Sequence, residues 1–192
     1  MNTELLNALK DRAYGIAVEH GFHDEEKPDC YYLGLVMSEA GEAINADRKG
    51  MHADTKGFEE IEAAEKDYPF ADNFKAHIKD SVEDEIADIV IRLLDFAGWK
   101  RYGLRYERNY EFTNPVFLVL EREGLSSALF QLNYALGSTY DRDRLEGGID
   151  WFFMIYSECF GKMTGSDKDL WWFVEKKMAY IDLRPRLNGK KY

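Results

Sequence analysis

A chain of 192 residues is long enough for one domain with a proper core and short for two. Its 45% hydrophobic and 15% aromatic residues argue against disorder, and 25 Lys and Arg against 36 Asp and Glu leave a formal charge of −11, which disfavours gripping a nucleic-acid backbone while leaving small anions open if cations mediate. Cys30 and Cys159 make neither a disulfide framework nor a CxxC pair, and Met1 to Arg12 lacks a signal-peptide apolar stretch, so a cytoplasmic protein in a reducing compartment is expected.

Only four prolines occur, and the stretches between them show helical rather than alternating periodicity, which predicts an all-α chain. An amphipathic helix is expected over 3–20, then a polar break from His20 to Pro28. A second helix runs from about Cys30 to Arg48 and stops at Gly50. Met51 to Asp80 turns polar, with short helical scraps near 59–65 and 74–79, and reads as a mobile or partly helical connection. A helix follows from about Ser81, a plausible N-cap, to Lys100. Leu104 to Pro115 reads as a linker, and helices fit Val116 to Leu136, 148–163 and 168–183 before a basic tail, 184–192. The uncharged run from Gly124 to Tyr140 carries Ser, Gln and Asn, so no membrane partner is expected. The division expected is a single domain over 1–192, with a metal-binding helical half (1–104) and a second helical half with the basic tail (105–192). Ser126 to Asn133 faintly echoes Ser38 to Asn45, and Ile149 to Ser157 echoes Ala87 to Asp95, either as a degenerate repeat or by chance likeness between helices.

Chemistry is concentrated in two acidic pairs, Glu39/Glu42 and Glu85/Asp88, each three residues apart on one helical surface. Glu59/Glu62 share that spacing, so placement against the apolar stripe must discriminate. With the stripes taken as Leu33, Val36, Met37, Ala40 and Ile44, and as Val82, Ile86, Ile89, Val90, Leu93 and Ala97, both pairs lie roughly 100° and 160° to the same side. Either both are solvated faces, or four carboxylates meet between two helices and need protons or cations. An all-oxygen set selects Mg²⁺, with Mn²⁺ as substitute, and implies a phosphorylated small molecule. Gly34 and Gly41, seven apart in the second helix, suggest close approach of another helix or merely a looser segment.

These residues, in Ser38-Glu39-Ala40-Gly41-Glu42-Ala43-Ile44 with Ala46-Asp47-Arg48-Lys49-Gly50, and in Glu83-Asp84-Glu85-Ile86-Ala87-Asp88-Ile89-Val90, resemble the MazG-like nucleotide pyrophosphohydrolases of the all-α NTP pyrophosphohydrolase superfamily. The likeness resumes in Lys177-Met178-Ala179-Tyr180 and Arg184-Pro185-Arg186-Leu187-Asn188-Gly189-Lys190. It implies a MazG-like helical bundle that hydrolyses nucleoside triphosphates between the α- and β-phosphates. It also implies Mg²⁺ on Glu39, Glu42, Glu85 and Asp88, which then serve catalysis, with Lys177, Arg184 and Lys190 near the phosphates. A homodimer or higher homo-oligomer is expected. The chain departs from the family at Ile181, where an Asn is common, and its second half keeps neither acidic pair. The same superfamily includes dUTP and dCTP specialists, and a non-catalytic, metal-stabilised oligomerisation protein is the reading from another class.

Three further features are weighed as structural first. His20 and His23 read as helix-end residues rather than metal ligands. Trp151, Phe152, Phe153, Tyr156, Phe160, Trp171, Trp172 and Phe173 read as core or subunit interface rather than a base-stacking platform. Lys100, Arg101, Arg105 and Arg108 read as a linker surface.

Overall fold

A helix with an uninterrupted apolar stripe buries that stripe, and 82–99 has one from Val82 to Ala97. In the computed structural model, which describes residues 1–64, 67–107, 110–141 and 144–185 (side chains of 110–114 and 141 excepted), this helix is the axis of the molecule. The described residues form nine helices and no strand: α1 Thr3–Glu19, α2 Asp29–Arg48, α3 Thr55–Ala64, α4 Phe70–His77, α5 Val82–Trp99, α6 Tyr110–Glu123, α7 Leu125–Asp141, α8 Leu145–Thr164 and α9 Leu170–Asp182. The all-α expectation is thus met. Helices α1, α2, α8 and α9 surround α5, and α6 and α7 pack beside α8. Buried apolar residues from Leu6 to Tyr180 join in one cluster spanning both halves of the chain. None of the described helices is long and apolar enough to cross a membrane.

The expected α5 stripe, Val82, Ile86, Ile89, Val90, Leu93 and Ala97, is wholly enclosed. On α2 the expected stripe holds at Leu33, Val36 and Ala40, but Met37 is 42% exposed. The alanines Ala40, Ala43 and Ala46 carry the packing instead, letting α2 lie close to α5. Gly34 and Gly41 approach nothing: a Cβ at either would meet no atom within 4 Å. The close crossing lies at Gly98, where a Cβ would stand 2.5 Å from the Tyr14 Cβ of α1.

The stretch 51–80, expected to be a mobile or partly helical connection with scraps near 59–65 and 74–79, carries two docked helices that begin about four residues before those scraps. Phe58 of α3 and Phe74 of α4 have no exposed surface, each burial stabilising by about 1.5–3 kcal/mol. Phe74 stacks on Tyr180 of α9 with centroids 4.5 Å apart, and Phe58 meets Trp172 edge-on. A few aromatic anchors among polar residues decide the matter, which average composition conceals. Asn73 Nδ2 donates to Phe58 O at 2.9 Å and joins the two helices.

Two boundaries after residue 104 also differ from expectation. Helix α6 begins at Tyr110 and contains Pro115, so 110–115 of the expected linker are helical. Expected as one helix, 116–136 is broken at Gly124, whose φ of +84° needs a residue without Cβ. Helices α7 and α8 pack on each other as α2 and α5 do, α2 touches α7 and α5 touches α8, which is how the echo would arrange them. Under that correspondence Glu39 becomes Ser127, Glu42 becomes Phe130 and Glu85 becomes Gly147, while Asp88 remains an acid at Asp150, leaving neither pair. Phe152, Phe153, Tyr156, Phe160, Trp171 and Phe173 are core residues. Lys100 pairs with Asp29 at 3.0 Å, Arg101 and Arg105 are exposed, and Arg108 lies outside the described residues.

Candidate metal centre

The start of α5 is fixed by its own side chains. Asp84 N donates to the Ser81 N-cap Oγ at 3.2 Å, and Asp84 Oδ2 accepts from Asp80 N at 3.0 Å, a reciprocal arrangement that satisfies two donors otherwise left over at a helix start. Glu83, 2% exposed, accepts from Ala53 N at 2.9 Å and pairs with His52 Nδ1 at 3.0 Å, pinning the chain before α3. With both ends of that loop held, Glu85 and Asp88 project from α5 toward α2.

Three of the four expected carboxylates come together: one oxygen each from Glu39, Glu85 and Asp88 lies within 4.8 Å of the others. Glu42 does not join them. It is exposed on the flank of α2, one turn beyond Glu39, close enough to add its charge to the field on Glu39 and Glu85. A second group, Asp80, Asp84 and Glu85, has the same spacing and shares Glu85.

Two cations are built into the cluster. Lys177 of α9, 5% exposed, sets Nζ 2.8 Å from Asp84 Oδ2 and 2.6 Å from Asp88 Oδ2. Arg92 donates from Nε to Glu39 Oε1 at 3.0 Å. Lys177 was expected at substrate phosphates, but here its ammonium is spent on carboxylates. Arg184 is half-buried with its guanidinium carbon 5.8 Å from the Tyr180 ring centre, and Lys190 lies outside the described residues.

The two internal cations do not balance the acids. Burial pushes Glu85 up to about 8, with Asp88 and Asp84 adding to it. Burial likewise raises Asp84 to about 6, against the pull of Lys177. Glu39 is raised by burial and by Asp88, with Arg92 opposing. Lys177 goes the other way: burial disfavours its charge, but Asp88 and Asp84 outweigh this and hold the ammonium protonated. Asp84 Oδ1 is sealed from solvent with no hydrogen-bond partner among the described residues. Burial and neighbouring acids thus favour the protonated forms of Glu85, Asp84 and Glu39, and a hard divalent ion suits the all-oxygen donors. Glu39, Glu85 and Asp88 are the residues that would hold it.

Beside the acids lies a cavity of about 70 Å³ between α1, α5 and α9. Asp88, Arg92 and Lys177 line its metal-centre side, Asp95 and Arg184 line it further off, and Phe22 and Ile181 are among its apolar walls. Compared with known protein families, curated proteins and solved structures, the chain matches none.

Sequence reasoning missed Asp84, Arg92, Asp95 and His23. Asp80, Asp84 and Asp88 recur every fourth residue, and Arg92 continues the same row, a signal that was present but shared by many solvated helix faces. His23, set aside as a helix-end residue, pairs through Nε2 with Asp95 Oδ1 at 2.7 Å, both side chains buried. His20 lies with Nδ1 2.9 Å from Ile16 O and Nε2 3.0 Å from Arg184 O, tying the end of α9 to the end of α1.

Proposed function

We propose that this chain is a Mg²⁺-dependent nucleoside triphosphate pyrophosphohydrolase, Mn²⁺ serving as substitute, that cleaves between the α- and β-phosphates to give a nucleoside monophosphate and pyrophosphate. The observation that carries the reading is the convergence of Glu39, Glu85 and Asp88 from two helices, with Asp88 also lining a cavity that holds Arg92 and Arg184. The resemblance in the acidic motifs supports it, with Glu42 as the outer member of the set.

A divalent ion held by these acids would neutralise phosphate charge and make a water more acidic. The chain's own residues supply the rest. Arg92 and Arg184 offer donors for phosphate oxygens, and a carboxylate oxygen of the cluster not engaged by a cation can orient the attacking water and take its proton. Water adds to phosphorus in line, the bridging oxygen departs with its electron pair in pyrophosphate, and the apolar walls keep other water out. The setting proposed is cytoplasmic, and the oligomer a homodimer or larger, supported by Phe130 and Tyr134 of α7, 68% and 73% exposed.

Pyrophosphate release from a panel of NTPs and dNTPs, with and without Mg²⁺, tests the reading. Metal-dependent release is expected, and no turnover of any nucleotide would overturn it. A second reading has its own observation: Lys177 and Arg92 already partly neutralise the acids, as in a buried polar core, and on that account metal raises thermal stability without any turnover.

A further inference from the structure

His20 faces an acceptor at each ring nitrogen. Nδ1 lies 2.9 Å from the Ile16 carbonyl oxygen, and Nε2 lies 3.0 Å from the Arg184 carbonyl oxygen. A carbonyl oxygen can only accept, and a neutral imidazole has one N–H to give. With one proton on the ring, one of these contacts would set a nitrogen lone pair against an oxygen lone pair. Both become hydrogen bonds only when the ring carries two protons, and at 6% exposure the ring is shut away from solvent that could replace either bond.

The surroundings favour that charge. His20 is the C-cap of α1 and Arg184 follows the last turn of α9, so the ring lies where two helices present the negative ends of their dipoles. The backbone that carries it is fixed: His20 N donates to Ile16 O at 3.0 Å, and Gly21, at φ +80°, closes the turn with Phe22 N bonded to Ala17 O at 2.9 Å. Of the charged groups on the segments that meet here, Glu19 of α1, Asp24 of the turn and Asp182 of α9 are exposed. His23 is engaged with Asp95 of α5, Arg92 of α5 with Glu39, and the Arg184 guanidinium lies over Tyr180. The ring's own hydrogen-bond partners among the described residues are the two carbonyls.

The residue held in this way is Arg184. Its N–H donates to Ile181 O at 2.9 Å, its carbonyl is taken by His20, and Pro185 follows with no N–H to add. Its side chain lines the cavity beside Asp88 and Arg92. We propose that His20 is a positioning residue: as an imidazolium it clamps the Arg184 carbonyl to the end of α1 and so aims the Arg184 side chain at the cavity, and loss of one ring proton releases one bond and slackens that aim. The role of Arg184 toward phosphate rests on the hydrolase reading of the site, whereas the clamp does not.

Ring-nitrogen NMR of the wild type, labelled with nitrogen-15 histidine, reads the clamp directly and needs no variant. At pH 6 both His20 nitrogens should give the signature of N–H, and one should lose it as the pH is raised. A bare nitrogen on His20 at pH 6, the state of a buried neutral imidazole, overturns the proposal. Binding of inorganic pyrophosphate with Mg²⁺ reads the consequence. The wild type and His20→Gln, whose amide nitrogen can reach only one of the two carbonyls, are compared at pH 6 and again above the pH at which the ring proton leaves, so that titration of the acid cluster, common to both, cancels. At pH 6 the wild type should bind about 5-fold tighter, and at the higher pH the two should agree within about 2-fold. The difference should vanish in an Arg184→Gln background, which a merely structural role of His20 would not produce. Equal affinity at pH 6, or a difference that survives without the Arg184 guanidinium, overturns the positioning role and leaves the hydrolase reading standing. A doubly protonated His20 in a protein that neither binds pyrophosphate nor turns over any nucleotide upholds the clamp and overturns the hydrolase.

Discussion

Lys177 Nζ lies 2.6 Å from Asp88 Oδ2, inside the ring of acids that would otherwise be the place for a metal ion. One α9 side chain therefore competes with any divalent cation for Asp88, and the protein without metal depends on it. Lys177→Met should cost about 3–5 kcal/mol in denaturant unfolding, because it strands Asp84 and Asp88 with no counter-charge. Mg²⁺ should then restore more stability to the variant than it adds to the wild type. A loss below about 1 kcal/mol would show that the pair is not structural.

Acid cluster and pH are linked by sign. Glu85, with an ordinary value of 4.5 raised to about 8, binds more protons folded than unfolded across that interval, so without metal its contribution to stability declines as pH rises from 4.5 to about 8. Asp84, raised to about 6, adds to the decline in the lower part of the range. Metal binding must release these protons, so added Mg²⁺ should raise the melting temperature more at pH 8 than at pH 6. A melting temperature that climbs over this range without metal, or an equal Mg²⁺ effect at both pH values, would contradict the account.

Asp88→Asn and Glu39→Gln should each abolish pyrophosphate release while circular dichroism stays helical, since both remove charge at nearly constant shape. Glu62→Gln should leave turnover unchanged: Glu62 has the same three-residue spacing to its neighbour Glu59 but meets only Lys176 at the surface, at 2.6 Å. Full activity in either of the first two variants would remove those residues from the site.

How far the sequence was legible follows from the same residues. The α5 stripe could be read because six apolar positions repeat without interruption and all are enclosed. Glu39, Glu85 and Asp88 could be read because they flank such stripes in the same sense on two helices. Glu42 shared their spacing yet lies outside, because the side of α2 that carries it, roughly 160° from the stripe, is open to solvent while α5 is enclosed. Lys177, Arg92 and the His23–Asp95 pair depend on which helices meet across 53 to 93 residues of chain, and no local periodicity encodes that. Phe58 and Phe74 were hidden by their polar neighbours, and the start of α6 by the Arg and Tyr residues of 104–115.

Packing gives a separate check on the α1–α5 crossing. Gly98→Ala should destabilise by about 1–3 kcal/mol, because the new methyl would meet Tyr14 Cβ and the Lys10 carbonyl. Gly41→Ala, on an open helical surface, should stabilise by about 0.5–1 kcal/mol. Chemical denaturation of the two variants separates the cases, and equal effects would mean that the helices do not approach at Gly98.

The most direct measurement is a Mn²⁺ titration at pH 8, followed by the loss of the free-ion paramagnetic signal, on the wild type and on Glu85→Gln. Saturable binding by the wild type, weakened at least about 10-fold in the variant, is the expected result. Absence of saturable binding, or equal affinity in both proteins, would contradict a divalent-cation site at Glu39, Glu85 and Asp88.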